Sequence, residues 1–160
     1  MTPNSESPGF AAEIGEQMLR HTPHSQALAF EFVSAGADEG ALRVPWREDL
    51  ALDADSGVIA GGVVTTLIDH TCGLAVSAAL RSRSADDPAA LSPMGSMATL
   101  DLRIDYLRAA RAKQGITAHA HCYKLTRSVA FVRASAYEDD PADPVATAQA
   151  AFALAPAPAP

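Results

Sequence analysis

One carboxylate stands in the least polar long segment of the chain. Asp69 lies within Val58–Leu80, where an ionised side chain without partners would be costly to bury. Small or hydroxyl-bearing residues surround it at helical spacing, namely Gly62, Thr65, Thr66 and Gly73. A ligand groove needs such a stripe, and a carboxylate on it can serve as general base or nucleophile. The alternative is that Asp69 only makes hydrogen bonds within its own sheet or across a subunit contact.

Two adjacent glycines mark the start of the same segment. Gly61 and Gly62 fall where a helix would begin, and there the free N–H groups and the helix dipole can hold a developing oxyanion. A simple loop-to-helix turn is the alternative interpretation. Gly61 and Asp69 are eight residues apart, which is roughly 12 Å along a helix. One carbonyl cannot meet both within one chain, so a shared site requires a partner subunit with an antiparallel helix.

Other reactive residues are less well placed for chemistry. His119 and His121 share one face of a predicted strand and precede Cys122, but no spaced carboxylate or second His–Cys pair accompanies them. Cys72 would need a base to act as a nucleophile, and His70 lies on a different helix face. We therefore predict neither a metal nor a cofactor.

Positive charge is concentrated in one part of an acidic protein. The chain has a net charge of −7, which disfavours general binding of nucleic acid. Between Arg103 and Arg133 there are seven basic residues and one acid, Asp105, whereas the remainder holds five basic residues and 18 acids. Such a band suits a small polyanionic ligand. The alternative is that these charges merely solvate the faces of strands.

Length and composition predict one soluble domain. The 160 residues are 48% hydrophobic, which is enough for one core. Two cysteines cannot build a disulfide scaffold and suggest a reducing compartment. Residues 1–9 lack the features of a signal peptide, and no apolar run predicts a membrane span. The expected location is the cytoplasm.

The first part of the chain predicts a helix and a hairpin. Phe10–Arg20 has helical apolar spacing, and residues 21–25 (HTPHS) are expected to end it. Alternating residues predict a strand from Leu28 to Gly36 and a second through Leu42, Val44 and Trp46. Pro45 favours an edge position for that second strand. Residues 1–9 are expected to be a disordered tail and residues 155–160 a Pro/Ala-rich tail, leaving a domain at 10–154.

A buried helix and four strands complete the predicted domain. Val58–Leu80 is apolar around its whole circumference, which is typical of a helix inside a core. A loop at 81–95, long enough to be functional or mobile, follows it. Four strands with short connections come next, at Thr99–Arg108, Gln114–Leu125, Val129–Glu138 and Val145–Leu154. The prediction is an α+β fold, with a largely antiparallel sheet wrapped around the helix.

Two motifs carry a resemblance to a known family. Ala60–Gly73 (AGGVVTTLIDHTCG) and Thr99–Ala110 (TLDLRIDYLRAA) resemble the hotdog-fold acyl-CoA thioesterases, in particular the phenylacetic acid degradation (PaaI-like) subgroup. The resemblance implies a dimer as the minimal unit, with two sites at the helix–helix interface. It implies hydrolysis of acyl-CoA to free acid and CoA, with Asp69 catalytic and the N–H of Gly61 from the other subunit polarising the thioester carbonyl.

The resemblance also suggests binding residues and partners. Gly62, Thr66 and Gly73 are expected to bind substrate, and the CoA phosphates are expected to contact Arg111, Lys113, Arg127 and Ser128. The expected partners are acyl-CoA and further copies of this chain, as a dimer or a dimer of dimers, but neither nucleic acid nor membrane. Ala60 stands where the family has histidine. One alternative is therefore a non-catalytic acyl-CoA-binding hotdog protein, and another is a structural or interaction module.

Overall fold

The computed structural model describes residues 10–83 and 97–154. The predicted tails at 1–9 and 155–160 lie outside the described residues, as does the predicted loop from residue 84 onward.

The two predicted helices are confirmed with shifted ends, the second taking in residues 81–83 that were predicted to be loop, and a short third helix is added. Helix α1 is Phe10–His21, α2 is Pro23–Ala27 and α3 is Gly61–Arg83, with a 3-10 turn at Glu48–Leu50. Residues 21–25 were expected to break the first helix, and α1 does end at His21, but the short helix α2 that follows was not predicted. Proline is well tolerated in the first turn of a helix, and Pro23 is the first residue of α2.

All six predicted strands are confirmed, with ends shifted by a few residues. They form an antiparallel sheet in the order β1-β2-β4-β5-β6-β3. The strands are β1 (Glu31–Ala35), β2 (Glu39–Val44), β3 (Met97–Tyr106), β4 (Ile116–Leu125), β5 (Val129–Tyr137) and β6 (Ala146–Leu154). The α+β class and the wrapped sheet are thereby confirmed.

The predicted edge position of the second strand is wrong. Strand β2 pairs with β1 on one side and with β4 on the other. It ends at Val44, so Pro45 stands outside the ladder and its missing N–H costs no strand hydrogen bond. In the sheet formed by the described residues, the edges are β1 and β3.

Helix α3 lies in the core that the sheet wraps. Leu67, Ile68, Leu74 and Val76 are fully buried, and the helix packs against β2, β4 and β5. By length and composition alone α3 could span a membrane, but two thirds of its most apolar stretch is buried inside the protein. The prediction of a buried core helix is confirmed, with its start moved from Val58 to Gly61.

An ion pair fastens the segment after β3 to the end of β5. Arg108 binds Glu138 through two hydrogen bonds of 2.7 and 3.1 Å, and it also pairs with Asp143 at 3.1 Å. The side chain of Glu138 is 1% exposed and also accepts the N–H of Arg111 at 2.7 Å. The Arg108 guanidinium, helped by that N–H, lowers the pKa of Glu138 to about 2, although burial opposes the shift.

This pair predicts a particular loss of stability in acid. Because the folded-state pKa of Glu138 is depressed, its contribution is complete above the ordinary glutamate pKa and is lost as pH falls toward 2. Glu138→Gln should lower the melting temperature at pH 7 by about 5 °C, and this deficit should shrink below pH 4.5 and vanish near pH 2. Calorimetry across that range checks it, with Asp139→Asn as the exposed control. A deficit independent of pH would contradict the assignment.

Candidate active site

Asp69 lies half-buried beside the edge strand β3. The hydroxyl of Thr99 donates a hydrogen bond of 2.9 Å to its Oδ1. Within residues 10–83 and 97–154, no cation lies within ion-pair distance of this carboxylate. A carboxylate oriented by one hydroxyl and unpaired with a cation keeps its capacity to accept a proton or attack a carbonyl.

A cleft of about 240 Å³ opens beside this carboxylate. Gly73 lines it, as the groove prediction requires, but Gly62 and Thr66 do not. Those two lie one to two helical turns closer to the start of α3, where Thr66 Oγ1 donates to the carbonyl of Gly62 at 3.0 Å. The cleft is lined by Met18, Thr22, Asp69, His70, Gly73, Ser77, Met97, Thr99 and Phe152.

The first turn of α3 is held by a tyrosine from β3. Tyr106 Oη donates to the carbonyl of Gly61 at 2.6 Å, and Thr65 Oγ1 donates to the same oxygen at 3.1 Å. The carbonyl of Ala60 accepts the first helical hydrogen bonds, from Val63 and Val64. The N–H groups of Gly61 and Gly62 therefore belong to the helix start, where no preceding turn supplies an acceptor. They can donate to an anionic oxygen.

Thr99 and Tyr106 are functional candidates that sequence reasoning missed. In a regular strand, Thr99 would lie on the same face as Asp101 and Arg103, away from the helix. A register shift between Thr99 and Asp101 changes this alternation, so Thr99 reaches Asp69 on the helix side. Tyr106 could have been identified from the sequence, because it follows Leu102 and Ile104 at a spacing of two, and those residues pack against the core.

The predicted phosphate contacts lie at opposite ends of the sheet. Lys113 donates its backbone N–H to Gly57 at 2.8 Å, close to the start of α3, and Arg111 lies beside Glu138. Arg127 and Ser128 occupy the turn between β4 and β5, where Arg83 at the end of α3 donates to Leu125. The nine residues of β5 separate these groups by roughly 30 Å. Within one chain they cannot contact the same phosphate.

The cysteine and histidine candidates do not form a reactive centre. Cys72 is fully buried, and burial raises the pKa of its thiol to about 12, so it stays protonated. His119 and His121 each face a carboxylate, Glu39 at 3.3 Å and Asp38 at 3.5 Å. Among the described residues, no three metal-ligating side chains gather into a possible metal site.

This arrangement is a hotdog fold, and sequence comparison gives its family. The profile of the Thioesterase superfamily matches residues 56–145, which include α3, Asp69 and strands β3 to β5. The chain therefore belongs to the thioesterase superfamily.

Individual relatives agree with this assignment. The medium/long-chain acyl-CoA thioesterase YigI of Escherichia coli K12 is 24% identical over 129 residues, covering 79% of this chain and 83% of YigI. A Pseudomonas aeruginosa protein of known structure is 33% identical with a TM-score of 0.75, covering 89% of this chain and 98% of its own. E. coli PaaI, from the phenylacetic acid degradation operon, has a TM-score of 0.72 at 15% identity, covering 92% and 96%, and supports the fold alone.

Proposed function

We propose that this protein hydrolyses acyl-CoA thioesters to the free acid and CoA, with Asp69 as the catalytic carboxylate. The observation that carries the proposal is the Asp69 carboxylate, held by Thr99 and unpaired with any described cation, at a cleft. As a general base it removes a proton from the water that attacks the thioester carbonyl. As a nucleophile it attacks that carbonyl itself, expels the CoA thiolate and leaves an anhydride that water then opens.

The oxyanion formed in either route needs donors that Asp69 cannot supply. We assign this role to the N–H of Gly61, which in the same chain is roughly 12 Å away along α3. A second copy with its α3 antiparallel to the first provides a Gly61 beside each Asp69. The proposed unit is therefore a dimer with two composite sites, and it can pair further into a dimer of dimers.

Strand β3 is the edge through which this dimer forms. Leu100 is 61% exposed and Tyr106 51% exposed in the single chain, and an exposed ten-residue edge strand readily pairs with another. An antiparallel pairing of two β3 strands centred on Leu102 sets Arg103 of each copy opposite Asp101 of the other. The same register brings Thr99, and hence Asp69, next to Tyr106 and Gly61 of the second copy.

The dimer also sets the separated halves of the basic band at the same end of the joined sheet. With the two copies antiparallel, Arg127 and Ser128 of one lie toward the sheet end that carries Arg111 and Lys113 of the other. We propose these four residues as contacts of the CoA phosphates. Arg111 is already paired with Asp139 at 3.2 Å, so its contact with a phosphate involves exchange of that exposed partner.

A non-catalytic acyl-CoA-binding protein is the second candidate, and Ala60 favours it. The family histidine is missing there, which removes one side chain near the thioester. The backbone of Ala60 still holds the start of α3 in place. Its N–H donates to the carbonyl of Leu50, and its carbonyl accepts the first helical hydrogen bonds. Release of the CoA thiol, measured over a panel of acyl-CoA esters, distinguishes hydrolysis from binding alone.

Removing the charge of Asp69 should abolish turnover without unfolding the protein. Asp69→Asn keeps the shape but cannot accept a proton or attack, so kcat should fall by about 10³-fold or more. Thr99→Val, which leaves the carboxylate without its hydroxyl, should lower kcat by roughly tenfold, and Thr99→Ser should restore it. Thiol release and thermal melting measure both properties. Turnover of Asp69→Asn within a few fold of wild type would remove Asp69 from the mechanism.

Charge complementarity across β3 predicts a reversible effect on assembly. Arg103→Asp sets like charges opposite each other twice per interface, so the dissociation constant should rise roughly tenfold. Adding Asp101→Arg to the same chain restores opposite charges and should recover the dimer. Sedimentation velocity over a dilution series measures assembly, with specific activity followed in parallel. A monomer that retains full specific activity would contradict the composite site.

The phosphate contacts should affect substrate binding more than chemistry. Arg127→Glu should raise KM several-fold and leave kcat unchanged, because the phosphates are held alike in the ground and transition states. Added salt should act in the same direction through screening. Arg20→Gln, on α1 and 70% exposed, is the control and should change neither constant. A KM indifferent to both salt and Arg127→Glu would leave the band as a solvated surface.

A further inference from the structure

The cleft beside Asp69 continues along the helix beyond the reacting group. Asp69, Gly73 and Ser77 follow one another at four-residue intervals on α3 and all line it. They span roughly 12 Å, running from the carboxylate toward the end of the helix. Opposite them lie Thr99 and Met97 of β3, while Met18 of α1 and Phe152 of β6 complete the walls.

Gly73 leaves open a space that an alanine would fill without strain. A Cβ at this position would meet the methyl groups of Met97 at 3.5 Å and Met18 at 3.9 Å, which are ordinary contacts. Glycine inside a helix costs about 1 kcal/mol relative to alanine. Packing does not explain why glycine stands here, because the neighbouring side chains leave room for an alanine. A ligand that occupies this space would explain it.

The hydroxyl hydrogens in this part of the cleft are already donated to main-chain carbonyls. Ser77 Oγ donates to the carbonyl of Gly73 at 2.9 Å, and Thr22 Oγ1 donates to that of Met18 at 2.8 Å. His70 Nδ1 lies 2.9 Å from the carbonyl of Thr66 and, since a carbonyl only accepts, carries the proton there. These hydroxyls therefore have no proton left to offer a ligand, which favours an apolar occupant.

Resting on the proposed function, we propose that this cleft is the acyl subsite and that it selects apolar acyl groups of medium length, with Gly73, Met18 and Met97 setting the limit. Its volume of about 240 Å³ exceeds the roughly 150 Å³ cavity that holds benzene in another protein. An extended chain advances roughly 1.25 Å per carbon, from the ordinary bond length and angle, so about ten carbons fill the 12 Å from Asp69 to Ser77. Methionine side chains are flexible enough to fit both straight and ring-bearing groups of that size.

The dependence of kcat/KM on chain length tests the subsite. For the wild type, kcat/KM should rise about fourfold per methylene from butyryl-CoA to about decanoyl-CoA and then level off. Gly73→Leu fills the space and should lower the decanoyl-to-butyryl ratio by at least about fiftyfold, because several methylenes lose their place. Gly73→Ala should slightly shorten the acyl chain at which kcat/KM is highest, and it should raise the melting temperature.

Two further variants approach the same space from α1. Met18→Trp should reproduce the effect of Gly73→Leu, which keeps the test valid if the leucine variant fails to fold. Met18→Ala should move the optimum to longer chains. Two results would overturn the subsite. One is a wild-type kcat/KM that does not vary with the length of the acyl chain. The other is a decanoyl-to-butyryl ratio that is unchanged in both Gly73→Leu and Met18→Trp.

Binding separates this inference from the proposed function. Calorimetric Kd values for butyryl-CoA and decanoyl-CoA, measured on Asp69→Asn and on Asp69→Asn/Gly73→Leu, need no turnover. A Kd that falls with acyl chain length in Asp69→Asn but not in Asp69→Asn/Gly73→Leu would support the subsite, even if the wild type hydrolyses nothing. Absence of wild-type hydrolysis would overturn only the proposed function. Equal dependence on chain length in both proteins would overturn the subsite alone.

Discussion

The structure depends on burying a helix that is apolar on every face. A surface helix needs to hide one stripe, but α3 must be enclosed, and the curved sheet encloses it with β2, β4 and β5. Enclosure is incomplete beside the edge strand β3, where Asp69 remains half-buried and within reach of Thr99. The one carboxylate on the helix is therefore placed at the margin of the core, where its charge is tolerated and a substrate can approach it.

The same helix keeps the reactive groups of one chain apart. Gly61 at its first turn and Asp69 two turns later cannot face one carbonyl, and the basic residues lie near its two opposite ends. In the proposed dimer, one antiparallel partner across β3 would bring a second Gly61 toward Asp69 and would set the two basic groups at the same end of the joined sheet. Three features that support the composite site lie on strand β3. They are the exposed Leu100, the alternating charges of Asp101 and Arg103, and the contact of Thr99 with Asp69.

Sequence patterns predicted the elements well, because burial dictates them. The uniformly apolar stretch around Leu67 and Leu74 favoured a core helix, and the period of two along β5 and β6 favoured strands. Local chemistry within the segments was harder to predict. Pro45 suggested an edge because the end of β2 could not be located to the residue, and the short helix that begins at Pro23 was not predicted.

The site was only partly predictable for similar reasons. Asp69 and Gly73 emerged from their contrast with apolar neighbours, and both line the cleft. Thr99 did not, because the register shift that turns it toward the helix has no signature in the alternation of β3. Long-range partners such as Glu138, which binds Arg108, depend on which strand ends meet, and that information lies in the topology.

The central claim, that each site takes Asp69 from one chain and Gly61 from the other, is tested most directly by mixing two inactive variants. Asp69→Asn removes the carboxylate, and Gly61→Pro removes the N–H at a position where proline suits the start of a helix. Each homodimer should be inactive. A dimer of one chain of each kind regains one intact site of two, so an equimolar, re-equilibrated mixture should recover about a quarter of wild-type activity. A mixture that forms mixed dimers but stays inactive would contradict the composite site.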